Sequence, residues 1–165
     1  MEPRLIKNFH AEDSRGSFTK VYTDLKYDDI EIIFKESYFS QNKPGVWRGL
    51  HFQTPPMDHW KLVTVVQGKI KDYVVDIRKN SNTYGQKLIF DLVAGKESLL
   101  IPPGYAHGFK SVGESLVLYN VSTIYSPEND KGLSYKFLGD SLNIKENLVS
   151  SRDLAFTKII DDVAL

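Results

Sequence analysis

The sequence predicts an all-β protein that ends in a short helical segment. Three observations predict it. Short runs rich in β-branched and aromatic residues recur along the middle of the chain, turn clusters separate them, and the C-terminal part carries a helix-start signal. The chain has 165 residues, 41% hydrophobic and 25% charged, which suits one domain over 1–165 with its own core.

Residues 62–66 and 71–77 read as strands, with Gln67-Gly68 between them as a hairpin turn. Residues 80–85 are a turn cluster of Asn, Ser, Thr and Gly. Residues 86–93 read as a strand, 94–96 as a turn and 98–101 as a strand that Pro102-Pro103-Gly104 stops. Residues 116–124 form another long strand. Strands this short, at this spacing, make a sandwich or a barrel. Ser150 and Asp153 resemble a capping box, and 154–160 follows as a short helix.

Composition removes several functions. Lys plus Arg is 21 and Asp plus Glu is 21, so the chain lacks the basic excess of a general nucleic-acid binder. It has no cysteine, which excludes disulfides, zinc-thiolate sites and thiol chemistry. No apolar run approaches a membrane span, and Met1-Glu2-Pro3-Arg4 has no secretory pattern, so a cytoplasmic protein without a membrane partner is expected.

Chemistry concentrates at Arg48-Gly49-Leu50-His51-Phe52-Gln53 and at Lys61. The histidine is a candidate base, and a lysine on the next strand reaches the same pocket. Together they suggest proton abstraction beside a carbonyl. Pro102-Pro103-Gly104-Tyr105-Ala106-His107 resembles the Pro-x-Gly-x-x-His element of the second cupin motif. In metal-binding cupins the first motif supplies His-x-His, a Glu and a later Gly. Here Gly68 fits that Gly, Lys61 stands where the Glu would be, and the His-x-His positions fall among Thr54-Pro55-Pro56-Met57. A cation at a ligand position repels a metal ion. The expectation is a cupin-like double-stranded β-helix, or jelly roll, with no metal.

The chain resembles the dTDP-4-dehydrorhamnose 3,5-epimerase family over nearly its whole length. Ser14-Arg15-Gly16-Ser17-Phe18 resembles an early Arg-Gly-x-Phe. The segments from Gly45 to Gln53, from Lys61 to Val63, from Val75 to Arg78, from Thr83 to Gly85 and from Ile101 to Phe109 follow in the family's order. Tyr125-Ser126-Pro127-Glu128, then Lys131-Gly132-Leu133, complete the series. Each match alone is weak; their order and spacing are specific. The resemblance implies a jelly-roll homodimer that inverts C3, C5 or both in a nucleotide-linked 4-keto-6-deoxy sugar, with no cofactor.

It also implies roles. A C–H beside a ketone is acidic because an enolate forms, so the site needs a base, a cation at the oxygen and an acid on the other face. By resemblance His51 is the base and Asp153 its carboxylate partner, which sets the tautomer and steadies the imidazolium. Lys61 stabilises the enolate oxygen. Tyr125 is the acid, since a phenol of ordinary pKa about 10 keeps its proton at neutral pH. Arg48 and Arg15 are candidates for the diphosphate. Gln53, His107 and Arg152 fall at substrate-contact positions, and Asp76 is expected to be buried beside the site, either orienting His51 or Lys61 or serving a purely structural role.

Three departures sit on the nucleotide side of the family's pattern: Lys20, Glu36-Ser37-Tyr38 and Tyr135-Lys136-Phe137. Tyr38 or Tyr135 can stack on a base of any kind. The partner is therefore a nucleotide-diphosphate sugar, dTDP first, with GDP, CDP and UDP open. A 3,4-ketoisomerase and a non-catalytic sugar-nucleotide binding module are the alternative readings.

Overall fold

A computed structural model describes residues 1–139 and 142–165. In chain order its strands are β1 (Arg4–Lys7), β2 (Phe9–Asp13), β3 (Gly16–Lys20), β4 (Lys26–Tyr27), β5 (Ile30–Glu31), β6 (Glu36–Asn42) and β7 (Trp47–Gln53). Then come β8 (Lys61–Gln67), β9 (Lys69–Asp76), β10 (Lys87–Val93), β11 (Glu97–Ile101), β12 (Tyr105–Ser111), β13 (Ser115–Val121) and β14 (Asp130–Gly132). One short α-helix, α1 (Ser151–Leu154), follows among the described residues, with 3-10 turns at Tyr135–Leu138, Glu146–Leu148 and Ile160–Asp162.

Ten strands build two five-stranded sheets, β1-β11-β8-β13-β6 and β10-β9-β12-β7-β14. Every named pairing is antiparallel. Successive strands alternate between the sheets: β8 and β9, β10 and β11, β12 and β13 each divide across them. That alternation winds the chain into the expected jelly roll. Hairpins β2–β3 and β4–β5 stand outside the two sheets.

The alternation corrects one expectation. Gln67-Gly68 is not a hairpin turn, because β8 and β9 do not pair. It is a corner that carries the chain from one sheet to the other. Gly68 is required there: its φ is +80°, and a Cβ would lie 2.1 Å from the Glu114 carbonyl oxygen.

The core between the sheets takes Val63, Leu99, Ile101 and Val117 from one and Ile70, Val74 and Phe109 from the other. The outer face of the second sheet buries Trp47, Leu50, Phe52, Val75 and Ala106 under the C-terminal segment, which adds Val149 and Val163. That packing draws the end of the chain against β7. A parallel bridge between Trp47 and Val149 fixes the contact.

The short helix also departs from expectation. It covers Ser151–Leu154, and residues 155–159 are not helical. Ser150 caps it by accepting the Asp153 N–H at 3.1 Å. In a capping box the Asp153 carboxylate would return to the cap; here it turns to β7 instead.

β7 and β12 approach closely where Gly49 faces Gly108. Gly49 has φ +126°, and a Cβ there would lie 2.4 Å from Gly108 Cα and 2.8 Å from the His107 oxygen. Gly49→Ala is therefore expected to cost about 3 kcal/mol of stability. Chemical denaturation should show it as a lowered midpoint with an unchanged slope.

Candidate active site

A cavity of about 380 Å³ opens between the two sheets. Its size is that of a small-molecule site. Arg48, His51 and Gln53 line it from β7, His107 from β12, and Lys61 from β8 on the opposite sheet. Strand periodicity explains the grouping. His51 and His107 are direct cross-strand partners, so their side chains share the inward face. Lys61 opens β8 opposite Val121 and Ile101 and reaches the cavity from the other side.

His51 is paired. Its Nε2–H donates to Asp153 Oδ1 at 2.7 Å. The other carboxylate oxygen accepts the Gly49 N–H at 3.1 Å. Burial pushes the Asp153 carboxyl up, but the hydrogen bond and charge of His51 and the Gly49 N–H outweigh it and hold it below the usual carboxylate range. Nδ1 of His51 makes no protein hydrogen bond among the described residues. That leaves a lone pair free to take a proton. Phe156 steadies the ring edge-on, with centroids 5.8 Å apart. Gly132, opposite His51 on β14, gives Phe156 its space, since a Cβ there would sit 2.2 Å from that ring.

Asp153→Asn tests the pairing. The amide oxygen must keep the Gly49 N–H, so the NH₂ turns to His51 Nε2. A donor there drives the ring proton to Nδ1, the wrong tautomer for a base. We expect kcat to fall about 10²-fold or more, with the melting temperature little changed.

Lys61 is only 8% exposed, yet it has no hydrogen-bond partner among the described residues. Burial pulls its ammonium down to about 8, while the charges of Asp72 and Asp130 oppose the shift. It is an isolated cation held at the edge of deprotonation inside a cavity.

His107 forms a second pair. Its Nδ1–H donates to Asp72 Oδ1 at 3.1 Å. Burial pushes the imidazole down, and the Asp72 charge pulls it back in part. Asp72, not Asp76, is thus the acid of β9 that bonds a cavity histidine. Asp76 does not orient His51 or Lys61. Its carboxylate takes Arg78, Ser81 and Thr83 at 2.6–2.9 Å. Burial would raise it, but those hydrogen bonds hold it far below the usual range. It anchors the 78–83 turn. Both acids lie on the inward face of β9, so alternation alone does not choose between them.

The remaining predicted residues divide. Tyr125 sits at the rim, 55% exposed, and its N–H donates to the Glu36 carboxylate at 2.7 Å. Gln53 lines the wall with both amide ends engaged: Nε2 donates to the Met57 oxygen at 2.7 Å, and Oε1 accepts the Ser126 N–H at 2.7 Å. It clamps the loop that carries Tyr125. Arg48 donates Nε–H to Asn42 at 2.7 Å and lines the cavity. Arg152 also lines it and pairs with Asp130. Arg15 does not join them. It lies at the β2–β3 turn, its side chain 88% exposed and paired with Asp13, away from this cavity.

Several lining residues escaped the sequence reading, His59, Tyr119, Thr123 and Asp130 among them. Tyr119 stacks on Tyr38 at 4.9 Å between centroids, and burial pushes the Tyr38 phenol up to about 12. Among the described residues no three His, Cys, Asp or Glu side chains gather as a metal-binding group. No helix among them is long and apolar enough to cross a membrane.

Comparison with known proteins identifies what the chain is similar to. A family model described as dTDP-4-dehydrorhamnose 3,5-epimerase matches residues 2–161. A dTDP-4-dehydrorhamnose 3,5-epimerase of Shigella flexneri is 33% identical over 156 residues, covering 90% of this chain and 86% of that protein. The crystal structure of dTDP-4-dehydrorhamnose 3,5-epimerase from Bacillus anthracis, with TDP and PPi bound, superposes with TM-score 0.86 at 33% identity. It covers 95% of this chain and 94% of that one. An epimerase from Legionella pneumophila in complex with dTDP-4-keto-L-rhamnose superposes with TM-score 0.86 at 30% identity, covering 96% and 88%.

Proposed function

The chain belongs to the dTDP-4-dehydrorhamnose 3,5-epimerase family, and from that premise we propose how its cavity works. The protein is an isomerase that epimerises a nucleotide-linked 4-keto-6-deoxy sugar in deoxysugar biosynthesis. The observation that carries the mechanism is the paired His51 with a free Nδ1, facing a cavity that also holds the Lys61 ammonium. His51 Nδ1 takes the proton from the carbon beside the ketone. The electron pair moves onto the ketone oxygen, and Lys61 stabilises the enolate. Tyr125 gives its phenolic proton to the opposite face of that carbon, and the enolate returns to the ketone with the centre inverted. The phenolate then recovers its proton from solvent, and His51 releases its own.

Arg48 and Arg152 are the groups of this cavity suited to the diphosphate, and guanidinium matches it with paired hydrogen bonds. A homodimer in the cytoplasm belongs to the same reading. The β2–β3 hairpin offers a contact surface, with Phe9 and Phe18 packed edge-on and exposed. Arg15 at its turn would meet a substrate only as a residue of a second copy.

The direct test is incubation with a dTDP-linked 4-keto-6-deoxy sugar and assignment of the product by NMR. Inversion at C3 or C5 supports the reading; a carbonyl moved to C3 would instead make the protein a ketoisomerase. Tyr125→Phe separates the two proton transfers. We expect it to keep solvent exchange at the carbon His51 serves and to lose about 10²-fold in net inversion.

A further inference from the structure

His59, like His107, has no task in the proton-transfer scheme, and unlike His107 it makes no carboxylate pair among the described residues. It stands in the loop between β7 and β8, just before Lys61, and lines the cavity together with Lys61, His107 and Gln53. Its ring is held from one side only. Nδ1 lies 3.2 Å from Gln53 Nε2 and 3.2 Å from Thr123 Oγ1. Nε2 makes no protein hydrogen bond among the described residues, and it is not sealed from solvent. The chain thus fixes one edge of the imidazole and leaves the other open to the cavity.

The network around Nδ1 is built, not incidental. Gln53 Oε1 accepts the Ser126 N–H, which sets the orientation of its amide and turns Nε2 toward His59. Thr123 gives its own proton to the Met57 oxygen at 2.8 Å. Gln53 can donate to Nδ1, or Nδ1–H can donate to Thr123. The first leaves Nε2 as a donor and the second leaves it as an acceptor. The ring is uncharged either way: burial pushes His59 down to about 3, and the neighbouring Lys61 ammonium adds to the shift. A sugar hydroxyl both donates and accepts, so it satisfies Nε2 in either tautomer. A phosphate or carboxylate would satisfy only one of them and would meet no charge on the ring.

We propose that His59 is a further substrate-binding residue, an uncharged imidazole whose Nε2 hydrogen-bonds a hydroxyl of the sugar ring beside the carbon that His51 attacks. Its neighbours place it on the sugar side of the cavity, next to the cation that stabilises the enolate. It does not exchange a proton with the reacting carbon. It positions the ring and discriminates sugars by their hydroxyls.

This rests on the epimerase reading, so the tests separate the two. The first needs no turnover. The wild-type protein carries ¹⁵N-histidine, and its ring resonances are followed with dTDP alone and with dTDP-glucose. The His59 ring should stay neutral from pH 5 to 9 and should shift with dTDP-glucose only; equal shifts with both ligands, or none, overturn the proposal. The second uses kinetics on the 4-keto substrate. His59→Phe should lower kcat/KM about tenfold, mostly through KM. His59→Gln, whose amide both donates and accepts, should stay within about threefold of wild type. Full activity of His59→Phe overturns the proposal. So does an equal loss in both variants with a lowered melting temperature, which marks a structural role. If the wild type itself exchanges no proton, the epimerase reading fails, and the resonance test still decides His59.

Discussion

His51→Asn is expected to reduce proton exchange on a 4-keto sugar by about 10³-fold, while the protein stays folded. The imidazole Nδ1 is the only free base atom that Asp153 prepares from behind. Asparagine is too short to reach Asp153 as Nε2 does, so that bond is lost, while the Gly49 N–H still holds the carboxylate. The asparagine amide nitrogen has no basic lone pair, and the proton then has no acceptor at that face. The melting temperature should move by a few degrees at most, because the ring is 27% exposed at a cavity wall. A large drop in stability with residual exchange would assign His51 to the fold instead.

Lys61→Met is the second large effect. An oxyanion-stabilising group in a dry site contributes about 10²–10³ in kcat. The pH dependence follows from the sign of its shift. Burial lowers the ammonium to about 8, so the charged form prevails below that pH and is lost above it. The wild-type rate should therefore fall as pH rises through about 8. Lys61→Met should show a low rate without that alkaline limb. It should not weaken the fold, since Lys61 faces the cavity and takes part in no hydrogen bond or ion pair among the described residues. A melting temperature close to wild type with a collapsed rate is the expected signature. Retention of the limb in Lys61→Met would move the titration to another group.

Much of the architecture was legible because local chemistry wrote it. The β-branched runs at 62–66, 71–77 and 86–93 fall within β8, within or at the end of β9, and over β10, and Pro102-Pro103-Gly104 stops β11 as expected. What local pattern lacks is partnership. Gln67-Gly68 has hairpin chemistry, yet whether it joins paired strands or turns a corner depends on which sheet receives β9. The same limit hid Asp72. Even the register leaves Asp72 and Asp76 two residues to either side of Val74, the partner of His107; the choice falls to Asp72 because Asp76 is taken by Arg78 and Thr83.

Tertiary demand decided the rest. Asp153 reads as a capping residue, and its N–H is indeed capped by Ser150, but the carboxylate is drawn to Gly49 and His51. Residues 155–159 have apolar content without a helix, because Phe156 packs on the His51 ring instead. Arg15 carries a motif that resembles the family's, and its position in space is still far from the cavity of its own chain. His59 was invisible because it lies in a proline-bounded loop with no periodicity to mark an inward face. His51 and Lys61 stood out from the sequence itself, Tyr125 and Asp153 came from resemblance, and the structure adds a hydrogen bond between His51 and Asp153 and a cavity lined by His51, Lys61 and Tyr125.

The most direct measurement is solvent deuterium wash-in during incubation with a dTDP-linked 4-keto-6-deoxy sugar, read by NMR at C3 and C5. The account predicts deuterium at one or both carbons, an unmoved C4 carbonyl, and no incorporation above background with His51→Asn. Absence of deuterium from both carbons with the wild-type protein, or incorporation that persists in His51→Asn, would contradict it.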